Sequence, residues 1–144
     1  MKFVNKGYLK EDKIKQLKKQ FEKNKPFPHL VLKDLFDKKT IKKLAVILKK
    51  EKFELNESDL YRFYRTIDLG NIKTKEIKEF YQFLNSKEFK EYLEKITGIK
   101  AYGDISGAGF VYDETSYLLP HDDELEGRKI AYVLNLSKNF TAKD

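Results

Sequence analysis

Apolar residues return at helical intervals through the first hundred positions of the chain and at strand-like ones beyond them. Leu9, Ile14, Leu17 and Phe21 share one face of a lysine-rich stretch from Tyr8 to Asn24, the spacing of an amphipathic helix. Lys25-Pro26-Phe27-Pro28 ends it. The apolar run His29-Leu30-Val31-Leu32 predicts a short strand, and Asp37 a cap for a second helix with the stripe Ile41, Leu44, Ala45 and Leu48. A polar link around Asn56 to Asp59 leads into DLYRFYRTIDLGN, whose element the pattern leaves open and whose Gly70-Asn71 pair marks a turn. Thr74 and Ser86 read as caps of two further helices, one burying Ile77, Phe80, Tyr81 and Leu84, the next Phe89, Tyr92, Leu93 and Ile96. Gly98 is placed to terminate the last of them.

After Gly98 the texture changes. IKAYGDISGAGFVYDETSYLLPHDD holds short apolar or alternating runs cut by Gly103, Gly107, Gly109 and Asp113-Glu114, which predicts successive strands. Ile130 to Leu136 predicts another, with Ile130, Tyr132, Leu134 and Leu136 on one face and Ala131, Val133 and Asn135 on the other. Helices first and strands last is the α+β pattern, in one domain over 1–144, mainly helical over 1–98.

Composition narrows the chemistry. The 144 residues are 40% hydrophobic and 14% aromatic, enough for a folded core. No run approaches the roughly 18 to 20 apolar residues of a membrane span, and MKFVNKGYLKEDK lacks a signal-peptide core, so a soluble, cytoplasmic protein without membrane association is expected. With no cysteine, any metal must be held by nitrogen and oxygen. Charge is uneven: residues 1–50 carry 16 Lys against 5 acids, a net +11, while the remainder is net −4. Such a front suits RNA or a ribonucleoprotein through phosphate neutralisation; a genome-wide bias toward lysine is the stronger alternative.

One cluster carries candidate metal chemistry. His121 and Asp123, two apart on an extended chain, can aim a ring nitrogen and a carboxylate oxygen at one point, while Asp122 points away. A His-x-Asp pair is two-thirds of the 2-His-1-carboxylate set that holds Fe(II) with open positions; a solvated turn has the same letters. Seven acids and no Lys or Arg lie between Asp104 and Glu126, a field that favours a cation or an ordinary acidic rim.

The block LLPHDDELEGRKIAYVLNL closely resembles the metal-binding region of the 2-oxoglutarate- and Fe(II)-dependent dioxygenases, in particular the prolyl hydroxylases that modify a small-subunit ribosomal protein. PFPHLVLKDLF, DLYRFYRTIDL and GAGFVYDETSYLLPHDD resemble the segments that precede it, so the likeness runs from about Pro26 onward. It implies N-terminal helices packed on a double-stranded β-helix of jelly-roll or cupin type that begins after residue 98. It also implies His121 and Asp123 as metal ligands and Fe(II) with 2-oxoglutarate as cofactors, ascorbate being a candidate addition. Tyr112 matches a tyrosine that holds the 2-oxoglutarate carboxylate; a core aromatic with a bonded hydroxyl is the alternative. Arg128 and Lys129 match a basic pair expected at the surface beside Asp122, Glu124 or Glu126, and His29 is expected to be structural. The implied substrate is a prolyl residue of a ribosomal or other intracellular protein.

The chain departs from that family at its end. The family's third ligand is a later histidine followed by a basic residue that pairs with 2-oxoglutarate, yet no histidine follows His121 and no arginine follows Arg128. The expectation is a truncated form whose missing part completes the site. The alternative is a catalytically inactive basic module that docks on RNA or a ribonucleoprotein. On either reading the 144-residue chain alone should decarboxylate 2-oxoglutarate negligibly; robust Fe(II)-dependent succinate production by the purified chain would contradict this.

Overall fold

Helix formation follows the capping residues closely in the computed structural model, which describes residues 1–121 and 127–137. A short 3-10 turn, Lys6–Leu9, leads into α1, Glu11–Lys23. Asp37 caps α2, Lys38–Leu48, by accepting the Thr40 backbone N–H at 2.8 Å. Thr74 precedes α3, Lys75–Leu84, without a side-chain cap bond; its hydroxyl instead donates to Glu51. Ser86 Oγ accepts from Phe89 N at the start of α4, Lys87–Thr97, and Gly98 ends that helix at φ 73°. That left-handed conformation is one a glycine adopts without Cβ strain.

The helices lie in the spatial order α1, α4, α3, α2, each packed on the next. Leu17 of α1, Leu44 of α2, Phe80, Phe83 and Leu84 of α3, and Phe89, Tyr92 and Ile96 of α4 share one core with Val4 and Phe36. Aromatic edges knit it: Phe36 meets Phe80 at 5.3 Å and Phe83 meets Phe89 at 5.1 Å between ring centres. Phe83, which the expected stripe omitted, is buried, whereas Tyr81 is half-buried and donates its hydroxyl to Ile105 O at 3.0 Å.

A four-stranded antiparallel sheet forms from β1 (Glu54–Glu57), β2 (Tyr61–Arg65), β3 (Phe110–Val111) and β4 (Tyr117–Leu118). The mixed α+β class is therefore as expected, but four strand expectations need correction. His29 to Leu32 is not a strand. Leu30 and Leu32 pack on the core while Val31 stays 73% exposed, so the alternation is satisfied by side-chain burial, and the nearest pairing is an isolated bridge between Val4 and Phe36. The polar link at 56–59 contains the end of β1, which pairs with β2 from Glu54↔Arg65 to Glu57↔Arg62. The strands expected after Gly98 shrink to two of two residues each, because Gly and Asp turns interrupt pairing. Ile130 to Leu136 forms no strand: Val133 is 95% exposed, and Tyr132 reaches Phe89 of α4 at 6.5 Å between ring centres. The expected separation into two faces is also incomplete: Tyr132 and Leu134 are exposed along with Val133, and only Ile130 and Leu136 are half-buried. The described sheet does not by itself establish a double-stranded β-helix.

Two polar groups in the interior behave oppositely. Thr66, 2% exposed, accepts the Gly109 N–H at 3.0 Å and donates its hydroxyl to Ile67 O at 2.7 Å. The buried Tyr92 hydroxyl has no hydrogen-bond partner among the described residues, and burial pushes its pKa up to about 12. Thr66→Val should therefore cost on the order of 1–3 kcal/mol by orphaning the Gly109 N–H, whereas Tyr92→Phe should be neutral or stabilising by about 1 kcal/mol. Urea unfolding of both variants checks the contrast in sign.

Candidate functional site

Two tyrosines and two phenylalanines make one face of the small sheet. Directly opposed residues of an antiparallel pair point the same way, so Tyr61, Phe63 and Arg65 of β2 share a face with Leu118 and Phe110 through the registers Tyr61↔Leu118 and Arg65↔Phe110. Tyr112, two residues past Phe110, joins them: its ring meets Phe63 at 5.6 Å. Phe63 is the buried centre, stacked on Tyr61 at 4.8 Å and edge-on to Phe110 at 5.2 Å. Arg65 lies over the Phe110 ring at 5.9 Å.

Because β1 occupies one edge of β2, β3 and β4 must share the other. They are two halves of one line along that edge, out of register with each other by four residues, so the chain between Tyr112 and Ser116 loops out. Asp113 closes the loop. Its carboxylate accepts from Thr115 N and Thr115 Oγ1, both at 2.9 Å, and from Ser116 Oγ at 2.8 Å. Arg62 of β2 lies 3.8 Å from the same carboxylate, donates to the Thr115 hydroxyl, and pairs with Glu57 at 3.4 Å. Hydrogen bonds from Ser116 and Thr115, with the Arg62 charge behind them, hold the Asp113 carboxyl below its usual range. Arg62 and Asp113 were not among the sequence candidates. The D-x-T-S spacing of an Asp-initiated turn was the available signal.

This loop separates two of the candidate site residues. Tyr112 lies before it, half-exposed, its phenol pKa raised by burial, so at neutral pH it is a hydroxyl that can donate. His121 lies beyond it, two residues after the last ladder bond, Leu119 N to Leu60 O at 2.9 Å. The His121 ring is exposed, and its Nδ1 is 2.9 Å from Leu119 O. A carbonyl only accepts, so Nδ1 carries the proton and the lone pair of the neutral ring sits on Nε2. That tautomer suits a metal ligand. His29, which is not a candidate ligand, makes the same bond to Phe27 O at 2.8 Å, so the arrangement is a product of the local Pro-His backbone.

Asp123 lies outside the described residues, as do Asp122, Glu124 and Glu126, the expected partners of Arg128 and Lys129. Among the described residues no group of three or more His, Asp or Glu could hold a metal ion. Tyr112 and His121 thus lie on opposite sides of one turn along one sheet edge, and of the two the imidazole is the donor type that suits a borderline divalent cation. No helix among the described residues is long and apolar enough to cross a membrane.

Known proteins resemble the chain in a consistent way. It is 35% identical over 122 residues to prolyl 3-hydroxylase OGFOD1 of Xenopus laevis, covering 83% of this chain and 23% of that protein. Against prolyl 3-hydroxylase OGFOD1 of Mus musculus it is 38% identical over 84 residues, 58% of the chain and 15% of the relative. Against prolyl 3-hydroxylase sudestada1 of Drosophila melanogaster it is 33% identical over 114 residues, 78% and 21%. The chain spans about a quarter or less of the length of these relatives. No family model matches it.

The Asp113 clasp yields a pH dependence. A depressed carboxyl stabilises the loop above its unfolded pKa, and that contribution is lost as pH falls through the lower folded value. The Thr115 amide should accordingly titrate with a midpoint below the ordinary aspartate value of about 3.9. Arg62→Ala should move that midpoint upward in two-dimensional NMR.

Proposed function

We propose that this chain provides part of the iron site of a 2-oxoglutarate-dependent prolyl hydroxylase. Its similarity to proteins named prolyl 3-hydroxylases over 83% of its length carries the reading. His121 Nε2 and an Asp123 carboxylate oxygen would hold the metal. Tyr112, a neutral phenol at physiological pH, would donate to the cosubstrate carboxylate. When bound, Fe(II) and 2-oxoglutarate would supply the oxygen-activating chemistry that hydroxylation of a prolyl carbon needs.

The chain's own residues have positioning tasks. Pairing of β4 with β2 and the Leu119–Leu60 bond fix the backbone just ahead of His121. Leu119 O holds the ring tautomer that presents Nε2. Arg62 and Asp113 hold the turn on the other side of which Tyr112 leaves β3. In this reading β3 and β4 begin a double-stranded β-helix, the substrate is a prolyl residue of a ribosomal or other intracellular protein, and the location is cytoplasmic. Those three statements rest on the sequence resemblance.

The redox-stable ion Mn(II) tests the ligands without requiring turnover. Titrated into the 144-residue chain, it should broaden the NMR signals of His121 and its neighbours selectively. His121→Ala and Asp123→Ala should each weaken the effect by about 10-fold or more. Tyr112→Phe should leave Mn(II) binding intact and weaken 2-oxoglutarate binding to the loaded protein. Broadening that ignores both ligand substitutions would remove the proposal's basis. In the longest polypeptide that contains this sequence, the same two alanine variants should abolish addition of oxygen to a proline-containing peptide, followed by mass spectrometry.

A further inference from the structure

Helix α2 and its C-terminal flank differ from the other helices in one respect. Residues 38–50 read KKTIKKLAVILKK, six lysines and no acid, whereas α1 carries Glu11, Asp12 and Glu22, α3 carries Glu76 and Glu79, and α4 carries Glu88, Glu91 and Glu94. A chain-wide lysine bias would intersperse acids here as it does there. Helix stability does not account for the pattern either. Lys49 and Lys50 complement the negative C-terminal end of α2, but Lys38 and Lys39 sit at its positive N-terminal end, where carboxylates would be favoured.

The apolar stripe of α2 faces the core through Leu44, with Ile41 packed beside it, and that fixes where the lysines go. All six are exposed. They recur as pairs at 38/39, 42/43 and 49/50, with Val46, 59% exposed, in the gap. Successive pairs are thus about 6 Å and about 10 Å apart along the helix. Lys38 pairs with Asp34 at 3.3 Å and Lys43 with Glu76 at 3.1 Å, and Lys39 stands near Asp37. Among the described residues Lys42, Lys49 and Lys50 form no ion pair, so the outer half of the row is an uncompensated positive strip.

We infer that this face of α2 binds the phosphate backbone of a single-stranded polynucleotide. Lysine supplies point charges to phosphates, and a row of them along one helix matches a linear array of negative charge. The exposed face holds no Arg, Asn or Gln to read base edges, so the contact is sequence-nonspecific and does not require a duplex groove. Exposed Val46 offers an apolar spot for a sugar or base between the lysine pairs. The inference is independent of the hydroxylase reading: α2 packs on α3 and Tyr112 and His121 lie along β2.

Fluorescence anisotropy with a labelled oligo(U) strand tests it on the 144-residue chain. Binding should weaken steeply with salt, log K falling against log[salt] with a slope on the order of −2 to −4 for three to five phosphates engaged. Oligo(dT) should bind within about threefold, because phosphates alone are contacted. Lys42→Glu/Lys49→Glu/Lys50→Glu should weaken binding about tenfold or more, and Lys15→Glu/Lys19→Glu/Lys23→Glu on α1, an equal change in net charge, by no more than about threefold. If circular dichroism shows the first variant unfolded, Lys42→Gln/Lys49→Gln/Lys50→Gln replaces it, with the same order of effect expected. Equal losses from α1 and α2 would overturn the inference, as would no binding at low salt. Displacement of oligo(U) by polyglutamate at equal charge, or tighter binding to phosphatidylserine vesicles, would overturn it in favour of an acidic protein or a membrane.

Discussion

The buried junction of Thr66 with Gly109 is the constraint on which the arrangement of the sheet depends. Thr66 N donates to Gly109 O at 2.9 Å and Gly109 N to Thr66 Oγ1 at 3.0 Å, joining segments 43 residues apart. A side chain at 109 would not fit without movement, since an added Cβ would lie 2.9 Å from Leu48 Cδ2 of α2. The glycine therefore lets the returning chain pass under the end of α2 and enter the edge of β2. Leu69 N to Gly107 O at 2.8 Å and Gly107 N to Asp68 Oδ2 at 3.1 Å continue the same pairing. β3 takes its register from this point, and β4, beyond the Asp113 loop, is shifted from it by four residues.

The helices supply the stability that such a small sheet lacks. Two-residue strands bury little, and Phe110, Tyr112, Leu118 and Leu119 are each 44–50% exposed. The helical core, by contrast, encloses Phe89 and Ile96 almost completely. Tyr81 joins the two parts by donating from α3 to Ile105 O, and Asn85 accepts the Ile105 N–H at 3.1 Å. The later segment touches the same helices at Tyr132, whose ring centre lies 6.5 Å from that of Phe89.

Local chemistry was legible in the sequence, and long-range pairing was not. Asp37, Ser86 and Gly98 mark helix ends because their function needs only a few neighbouring residues. The segments at 29–32 and 130–136 show why alternation is weaker: a period of two says that one face is buried, not that a partner strand lies beside it. Leu30 and Leu32 meet the core, and Tyr132 meets Phe89, without a ladder. The converse error concerns β1, whose residues ELNE lack an apolar pattern because only Asn56 is half-buried. Its pairing with YRFYR, not its composition, makes it a strand. At the site, the type of His121 and Tyr112 could be read, but Arg62 and Asp113 could not, since their meeting depends on the four-residue offset between β3 and β4.

The two histidines separate what hydrogen bonding can say about function from what position says. Both donate Nδ1–H to the carbonyl two residues back, both follow a proline, and both consequently favour the same tautomer. His29, however, leaves a loop tied to the end of α1 by Asn24, whose amide donates to His29 O at 2.8 Å, and its ring rests near exposed Phe27. His121 leaves a strand edge aligned by β2, with Tyr112 upstream on the same edge and the Arg62–Asp113 clasp between them. A metal ligand needs a backbone fixed relative to its co-ligands more than it needs a particular ring bond, which many loops provide. His121 is thus distinguished by its place on a strand edge that β2 aligns, in the register that β4 takes up beyond the Asp113 loop.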